Sequence, residues 1–315
     1  MLAALVIAVS TSVYSQDYPT KPITIIVPTG PGAGTDAVAR IISAKLGEVL
    51  GRTVVVENKS GAGGIIGTQA AAKAVPDGYT LMISANSFAM IPALYKTPPY
   101  DPVQSFIPIT SIGHSPAILV VNPQIPVDSF DELIAFAKRN PDGLSFGSAG
   151  NGSPNHFFGE MLNKAAGVKI VHIPYKGMAA AVADVVGGRV SMVSVGLPAI
   201  QAFINAGRLK AIAVMSPQRV TSLPNVQSVA ESIPGFNVDL WFGLWAVANT
   251  PDPVIERIYA ATLKILDDPD TRKRLTDTGM KIVPRTRAQF QSLIQSELEK
   301  WSGIVRDSQG AIVSQ

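Results

Sequence analysis

The feature that most constrains the fold is a repeated unit of apolar run, glycine-rich turn and amphipathic run. Ile23-Thr24-Ile25-Ile26-Val27 is short, β-branched and continuously apolar, the pattern of a strand buried on both faces. A turn follows, and over residues 36–50 the apolar side chains Val38, Ile41, Ile42, Leu46, Val49 and Leu50 recur at helical spacing. Residues 53–57 then read as a second strand, 61–67 as a turn, 68–74 as a helix and 79–84 as a third strand. This alternation predicts a parallel α/β sheet.

The pattern restarts near residue 118. A strand over 117–121 precedes Asp128 as a helix cap, a helix over 130–139, a strand over 144–146 and a second glycine-rich turn. Further helices are expected at 156–166, 179–187 and 198–206, and strands at 168–173, 190–195 and 209–214, with parallel alternation throughout. Residues 240–247, with two Trp, read as a return crossing, and helices at 253–266, 270–278 and 287–305 as packing back on the first lobe. The expected architecture is therefore α/β, with lobe 1 at 17–117 plus 238–315, lobe 2 at 118–237, and two crossing strands at the hinge. A length of 315 residues with 47% hydrophobic composition suffices for two such cores.

Composition narrows the function. A net charge of +3, spread without a Lys/Arg block, argues against nucleic acid. The absence of cysteine excludes disulfides, thiolate metal sites and a cysteine nucleophile. Residues 1–16 begin with the apolar run MLAALVIAVS and read as a signal peptide cleaved near Ser15 or Gln16, which predicts an exported, periplasmic protein with no stable membrane insertion. No later stretch is long and apolar enough to span a bilayer.

Two turns carry the chemistry. Pro28-Thr29-Gly30-Pro31-Gly32-Ala33-Gly34-Thr35-Asp36 and Gly147-Ser148-Ala149-Gly150-Asn151-Gly152-Ser153-Pro154-Asn155 each lead from a strand into a helix, one in each lobe. Amides and hydroxyls at the positive end of a helix dipole suit a carboxylate or phosphate, and neither turn has a Lys or Arg. Candidate contacts in the first lobe are Thr29, Gly30, Gly34, Thr35, Asp36, Ser84 and Asn86. In the second they are Ser148, Ala149, Asn151, Ser153, His156, Tyr175 and Lys176. Asp36 reads equally as a cap for the turn's own amides, and Ser153 reads as an N-cap. Lys176 offers the one full positive charge near the turns, and Tyr175 a flat wall with a hydroxyl.

Rival readings attach to the same residues. Gly32-x-Gly34-x-x-Ala37, with Glu57 twenty positions on, fits a dinucleotide fingerprint and so an NAD-type oxidoreductase, although Pro28 and Pro31 stiffen the turn. Gly61-Ala62-Gly63-Gly64-Ile65-Ile66-Gly67 lacks the Lys-Ser/Thr of a P-loop; it reads as tight strand-to-helix packing or as a backbone wall of the pocket, with Asn58 and Ser60 near its rim. Ser153 and His156 lack the surroundings of a nucleophile and its base, and His156 with Glu160 gives only two metal ligands. No catalytic residue, metal or cofactor is expected.

Several segments together resemble the Bug family, the periplasmic solute receptors of tripartite tricarboxylate transporters. They are Tyr18-Pro19-Thr20-Lys21-Pro22-Ile23, the first turn, Gly61-Ala62-Gly63-Gly64, Pro76-Asp77-Gly78-Tyr79-Thr80-Leu81, the stretch 147–160, His172-Ile173-Pro174-Tyr175-Lys176-Gly177, Gly207-Arg208-Leu209-Lys210-Ala211 and Trp241-Phe242-Gly243-Leu244. The resemblance implies a two-lobed periplasmic binding protein of the type II-like, Venus-flytrap kind. It also implies a non-enzymatic, monomeric receptor that closes on a small carboxylate and passes it to membrane transporter subunits, or alternatively reports it to a signalling partner. Thr29 stands where the family usually has an aromatic residue, and Gly32-Ala33 where it usually has a glycine pair.

Overall fold

The computed structural model describes residues 18–307 except Gly152. The expected signal peptide at 1–16 lies outside the described residues. In chain order the elements are β1 (Ile23–Val27), α1 (Gly34–Leu50), β2 (Val54–Asn58), α2 (Ile65–Ala72), β3 (Thr80–Ala85), α3 (Ser87–Ala93), β4 (Phe106–Val121), α4 (Phe130–Arg139), β5 (Ser145–Ser148) and α5 (Pro154–Ala166). They continue with β6 (Val171–Pro174), α6 (Met178–Val186), β7 (Met192–Gly196), α7 (Gln201–Asn205), β8 (Lys210–Val214), α8 (Val229–Ser232), β9 (Asp239–Val247), α9 (Asp252–Asp267), α10 (Pro269–Asp277), β10 (Lys281–Ile282) and α11 (Arg287–Asp307).

The strands form a curled sheet in the order β2-β1-β3-β9-β4-β7-β5-β6, with β8 and β10 also pairing β4. Parallel pairing is confined to β1 with β2 and β3, and to β5 with β6 and β7. The expectation of parallel alternation throughout is corrected by β4 and β9, which run antiparallel to their neighbours. Up to Pro116, β4 pairs with β9; from Ala117 it pairs with β7 and β8. One strand thus serves both lobes. The return passes through Val238, whose N–H donates to the Met215 carbonyl at 2.9 Å, immediately before β9 begins.

The sixteen-residue β4 is three times longer than the run its sequence advertises. Pro108 and Pro116 lack an N–H, and the register with β9 slips between Pro108 and Thr110 and again between Ser111 and Gly113. The short helix α3 is hidden for the opposite reason. Six of its seven residues are buried, so it has no polar face to create a helical period. At α4 the N-cap is Ser129, whose hydroxyl accepts from Glu132 N–H at 3.2 Å, and not the expected Asp128, which pairs with Lys210 instead.

The C-terminal helices cover the first lobe, as α9 and α10 do against α1, but α11 reaches further. Trp301 meets Phe157 of α5 edge to face, with ring centroids 5.4 Å apart. Glu297 Oε2 accepts from the indole N–H of Trp301 at 2.8 Å and from that of Trp241 at 3.1 Å. Trp241, Trp245, Phe88 and Phe290 continue this aromatic core under β9. A fully buried Phe contributes about 1.5–3 kcal/mol, so this belt is a main anchor between α11, β9 and α5.

Candidate functional site

A cavity of about 810 Å³ opens where the parallel strands end. On one side it is lined by turn 28–35 after β1, by Ser60 to Gly64 after β2, and by Ala85, Asn86 and Ser87 at the end of β3. On the other it is lined by Ala149, Gly150, Asn151, Ser153, Pro154 and Asn155 after β5, by Lys176, Gly177 and Met178 after β6, and by Val195 and Gly196 at the end of β7. Ser115 of β4 and Leu240 and Phe242 of β9 complete the inner wall, with Tyr95, Thr278 and Met280 adding further surface. These strand ends deliver the first turn of α1, and the start of α5 where Pro154 has no N–H and Ser153 takes that of His156, to a shared space. Among the described lining residues, Lys176 is the only one with a charged side chain.

The first turn is held from behind. Gly32 has φ +79°, a left-handed conformation that favours glycine. Its N–H donates to Asp36 Oδ2 at 2.9 Å, and Asp36 also accepts from Arg40 Nε at 3.0 Å and Asn58 Nδ2 at 2.9 Å. Asn58 Nδ2 reaches the Thr29 carbonyl as well, at 3.0 Å. Burial alone would raise the Asp36 pKa, but the hydrogen bonds from Arg40, Gly32 and Asn58 together hold it below the usual carboxylate value.

The second turn has a comparable brace made of imidazoles. Ser148 Oγ lies 2.6 Å from His172 Nε2, donates to the Gly150 carbonyl at 3.1 Å and accepts from the Gly150 N–H at 3.0 Å. His172 is stacked between Phe146 and His156, at 4.9 Å and 4.0 Å between ring centroids. Burial, and then the neighbouring His156, push the His172 pKa down to about 4. Burial lowers that of His156 too. Ser153 caps α5 by accepting from His156 N–H, and Asn155 Nδ2 donates to the Ser194 carbonyl. Tyr175 donates its hydroxyl to Asp184 Oδ2 at 2.7 Å; burial first, and then this bond, push its pKa up to about 12.

The candidate residues therefore divide into two layers. Thr29, Gly30, Gly34, Thr35, Asn86, Ala149, Asn151, Ser153 and Lys176 line the cavity. Asp36, Ser84, Ser148, His156 and Tyr175 are not on its wall; Asp36, Ser148 and His156 form the braces just described, Ser84 is buried in β3, and Tyr175 turns its hydroxyl to Asp184.

This arrangement can be set beside known proteins. The tripartite tricarboxylate transporter family receptor profile matches residues 38–309. BugT of Bordetella pertussis is 35% identical over 98% of this chain and 97% of its own. The chain belongs to this receptor family. The periplasmic binding protein BugD has the same fold, with a TM-score of 0.87 at 35% identity over 95% of this chain and 100% of its own. A Rhodopseudomonas palustris protein solved with adipate gives 0.87 at 31% identity, covering 93% and 98% of the two chains. MatC from the same organism, solved with malate, gives 0.84 at 31%, covering 91% and 100%.

Some parts of this receptor's cavity were not selected from the sequence. Tyr95, Ser115, Met178, Thr278 and Met280 line it from segments without a turn signal, and only the tertiary fold gathers them. Asn155, the last residue of the second turn, lines it as well while its amide donates to the Ser194 carbonyl. The 61–67 stretch does two jobs. Gly61 to Gly64 line the cavity, whereas a Cβ on Gly67 would strike the Lys59 carbonyl and lie 2.7 Å from Pro28 Cα. Glu57, which a dinucleotide site would place on a ribose, pairs with Lys59 at 3.1 Å and is not among the lining residues. Among the described residues no group of three His, Asp or Glu is placed to hold a metal ion, and no helix is long and apolar enough to cross a membrane.

Proposed function

We propose that this receptor captures a small organic carboxylate in the cavity between its lobes, in the periplasm, and hands it to the membrane subunits of a tripartite transporter. The observation that carries the reading is the convergence of the first turns of α1 and α5, both held in fixed conformations from behind, on one cavity whose described lining residues include a single cation. The braces take the Gly32 and Gly150 N–H groups and fix the turns, so that the remaining neutral donors of the turns bind an anion by position, with little reorganisation, and leave release possible. The ligands of the adipate and malate complexes, both small carboxylates, support the same class here. We place the lobe boundaries at 117/118 and 237/238, beside the point where β4 changes partners. The receptor acts as a monomer and without chemistry on its ligand.

Isothermal titration of the purified protein against a panel of aliphatic and aromatic carboxylates tests this. Saturable binding of at least one acid, abolished by Thr35→Trp with an unchanged circular-dichroism spectrum, is expected. Absence of binding across the panel, with binding of NAD(H), would instead favour the oxidoreductase reading.

A further inference from the structure

The cavity has two kinds of wall, and the second asks for something a carboxylate cannot provide. Five buried side-chain polar atoms among the described residues have no hydrogen-bond partner: Thr29 Oγ1, Asn86 Oδ1, His114 Nδ1, Asp239 Oδ1 and Trp245 Nε1. Buried polar atoms are satisfied in the great majority of cases, so such a cluster calls for an external partner. Two of the five, Thr29 Oγ1 and Asn86 Oδ1, belong to residues of the cavity wall, whereas His114 and Asp239 are not among the lining residues. Thr29 and Asn86 line the cavity, the Asn86 Nδ2 donates to the Asp239 carbonyl at 3.3 Å, and His114 Nδ1 stands 3.2 Å from Asp239 Oδ2 without hydrogen-bonding geometry.

Asn86 is fully buried. Because its amide nitrogen is committed to a backbone carbonyl, the free atom is the oxygen, an acceptor. A second ligand carboxylate placed here would set oxygen against oxygen, whereas an O–H or N–H would be satisfied. A water bound at Asn86 in the free receptor leads to the same demand, since a ligand that displaces it must replace its donated bond.

Resting on the carboxylate reading above, we propose that the ligand of this receptor carries a hydrogen-bond donor, a hydroxyl or an ammonium, in addition to its carboxylate, and that Asn86 is the residue that selects for it. The carboxylate meets the helix-turn amides, and the donor meets Asn86 Oδ1 at the inner wall. Thr29 Oγ1, which can donate or accept, adapts to either group.

Calorimetric titration of the full protein with length-matched trios tests this: succinate, malate and aspartate; glutarate, 2-hydroxyglutarate and glutamate; propionate, lactate and alanine. In at least one trio the hydroxy or amino member should bind about fivefold or more tightly than the unsubstituted acid, the ratio expected of one hydrogen bond. Asn86→Leu, close in shape and without an acceptor, should collapse that ratio toward one. Unsubstituted acids binding as tightly as their partners in every trio, or a ratio that survives in Asn86→Leu, would overturn the selection by Asn86 and leave the carboxylate receptor standing. If Asn86→Leu does not fold, Asn86→Ala, which also removes the acceptor and adds no bulk, is titrated in its place and the same ratio decides. Failure of all nine acids to bind would overturn the carboxylate reading and this inference with it.

Discussion

The imidazoles of His156 and His172 lie face to face, 4.0 Å between centroids and 15° between planes, directly behind the Ser148 hydroxyl. Burial, and for His172 also the neighbouring ring, disfavours the charged form of both imidazoles. The folded pKa of His172, about 4, lies below the ordinary histidine value of 6.5, so between these values the unfolded chain binds more protons than the folded one. Stability is therefore fully present above about pH 6.5 and declines as pH falls toward 4. Thermal unfolding followed across that range should show the decline, and His172→Asn should flatten it. An unchanged slope in the variant would place the acid sensitivity elsewhere.

Ser148 links that pair to the binding turn. Ser148→Ala removes the hydroxyl that accepts the Gly150 N–H, and should cost about 1–2 kcal/mol in a urea titration. Loosening the turn should also weaken binding of the preferred acid roughly tenfold, since the donors lose their fixed positions.

The first turn depends on Asp36 in the same way. Asp36→Ala leaves the Gly32 N–H and the Asn58 amide without their acceptor, for a loss of about 2–4 kcal/mol by chemical denaturation. Because the folded pKa is depressed, the stability Asp36 contributes is present above the ordinary carboxylate pKa and is lost as pH falls through the folded value. This places its acid window below that of His172, and the two variants should separate the phases.

Glycine substitutions distinguish packing from binding. Gly67→Ala should destabilise the protein by about 2–3 kcal/mol, because its Cβ would strike the Lys59 carbonyl and crowd Pro28. A Cβ on Gly30 meets nothing within 4 Å, so Gly30→Ala should unfold within about 0.5 kcal/mol of the wild type. Its effect should appear, if the side faces the ligand, in calorimetry alone.

Lys176 is exposed and provides the wall's charge. Lys176→Gln should weaken carboxylate binding by about threefold to tenfold at low salt, with a smaller difference at about 1 M salt, where an exposed charge is screened over a few ångströms. Equal losses at both ionic strengths would mean that Lys176 acts by shape.

The sequence by itself determined the local units. Strands β1, β2 and β3, helices α1, α4 and α5, and the two glycine-rich turns were legible because each is written in consecutive residues, as periodicity, caps and turn chemistry. The neutral, amide-rich character of the site was legible for the same reason. Only the tertiary structure decided how the turns are held and what completes the cavity. His172 braces Ser148 from twenty-four residues away, Asn58 reaches Asp36 across twenty-two, and Asn86 meets Asp239 across one hundred and fifty-three. The long β4 and the buried α3 escaped notice because prolines and complete burial erase the alternation on which such reading depends. Local pattern chooses elements, whereas burial and pairing between distant segments decide which polar groups are spent inside the fold and which are left for a ligand.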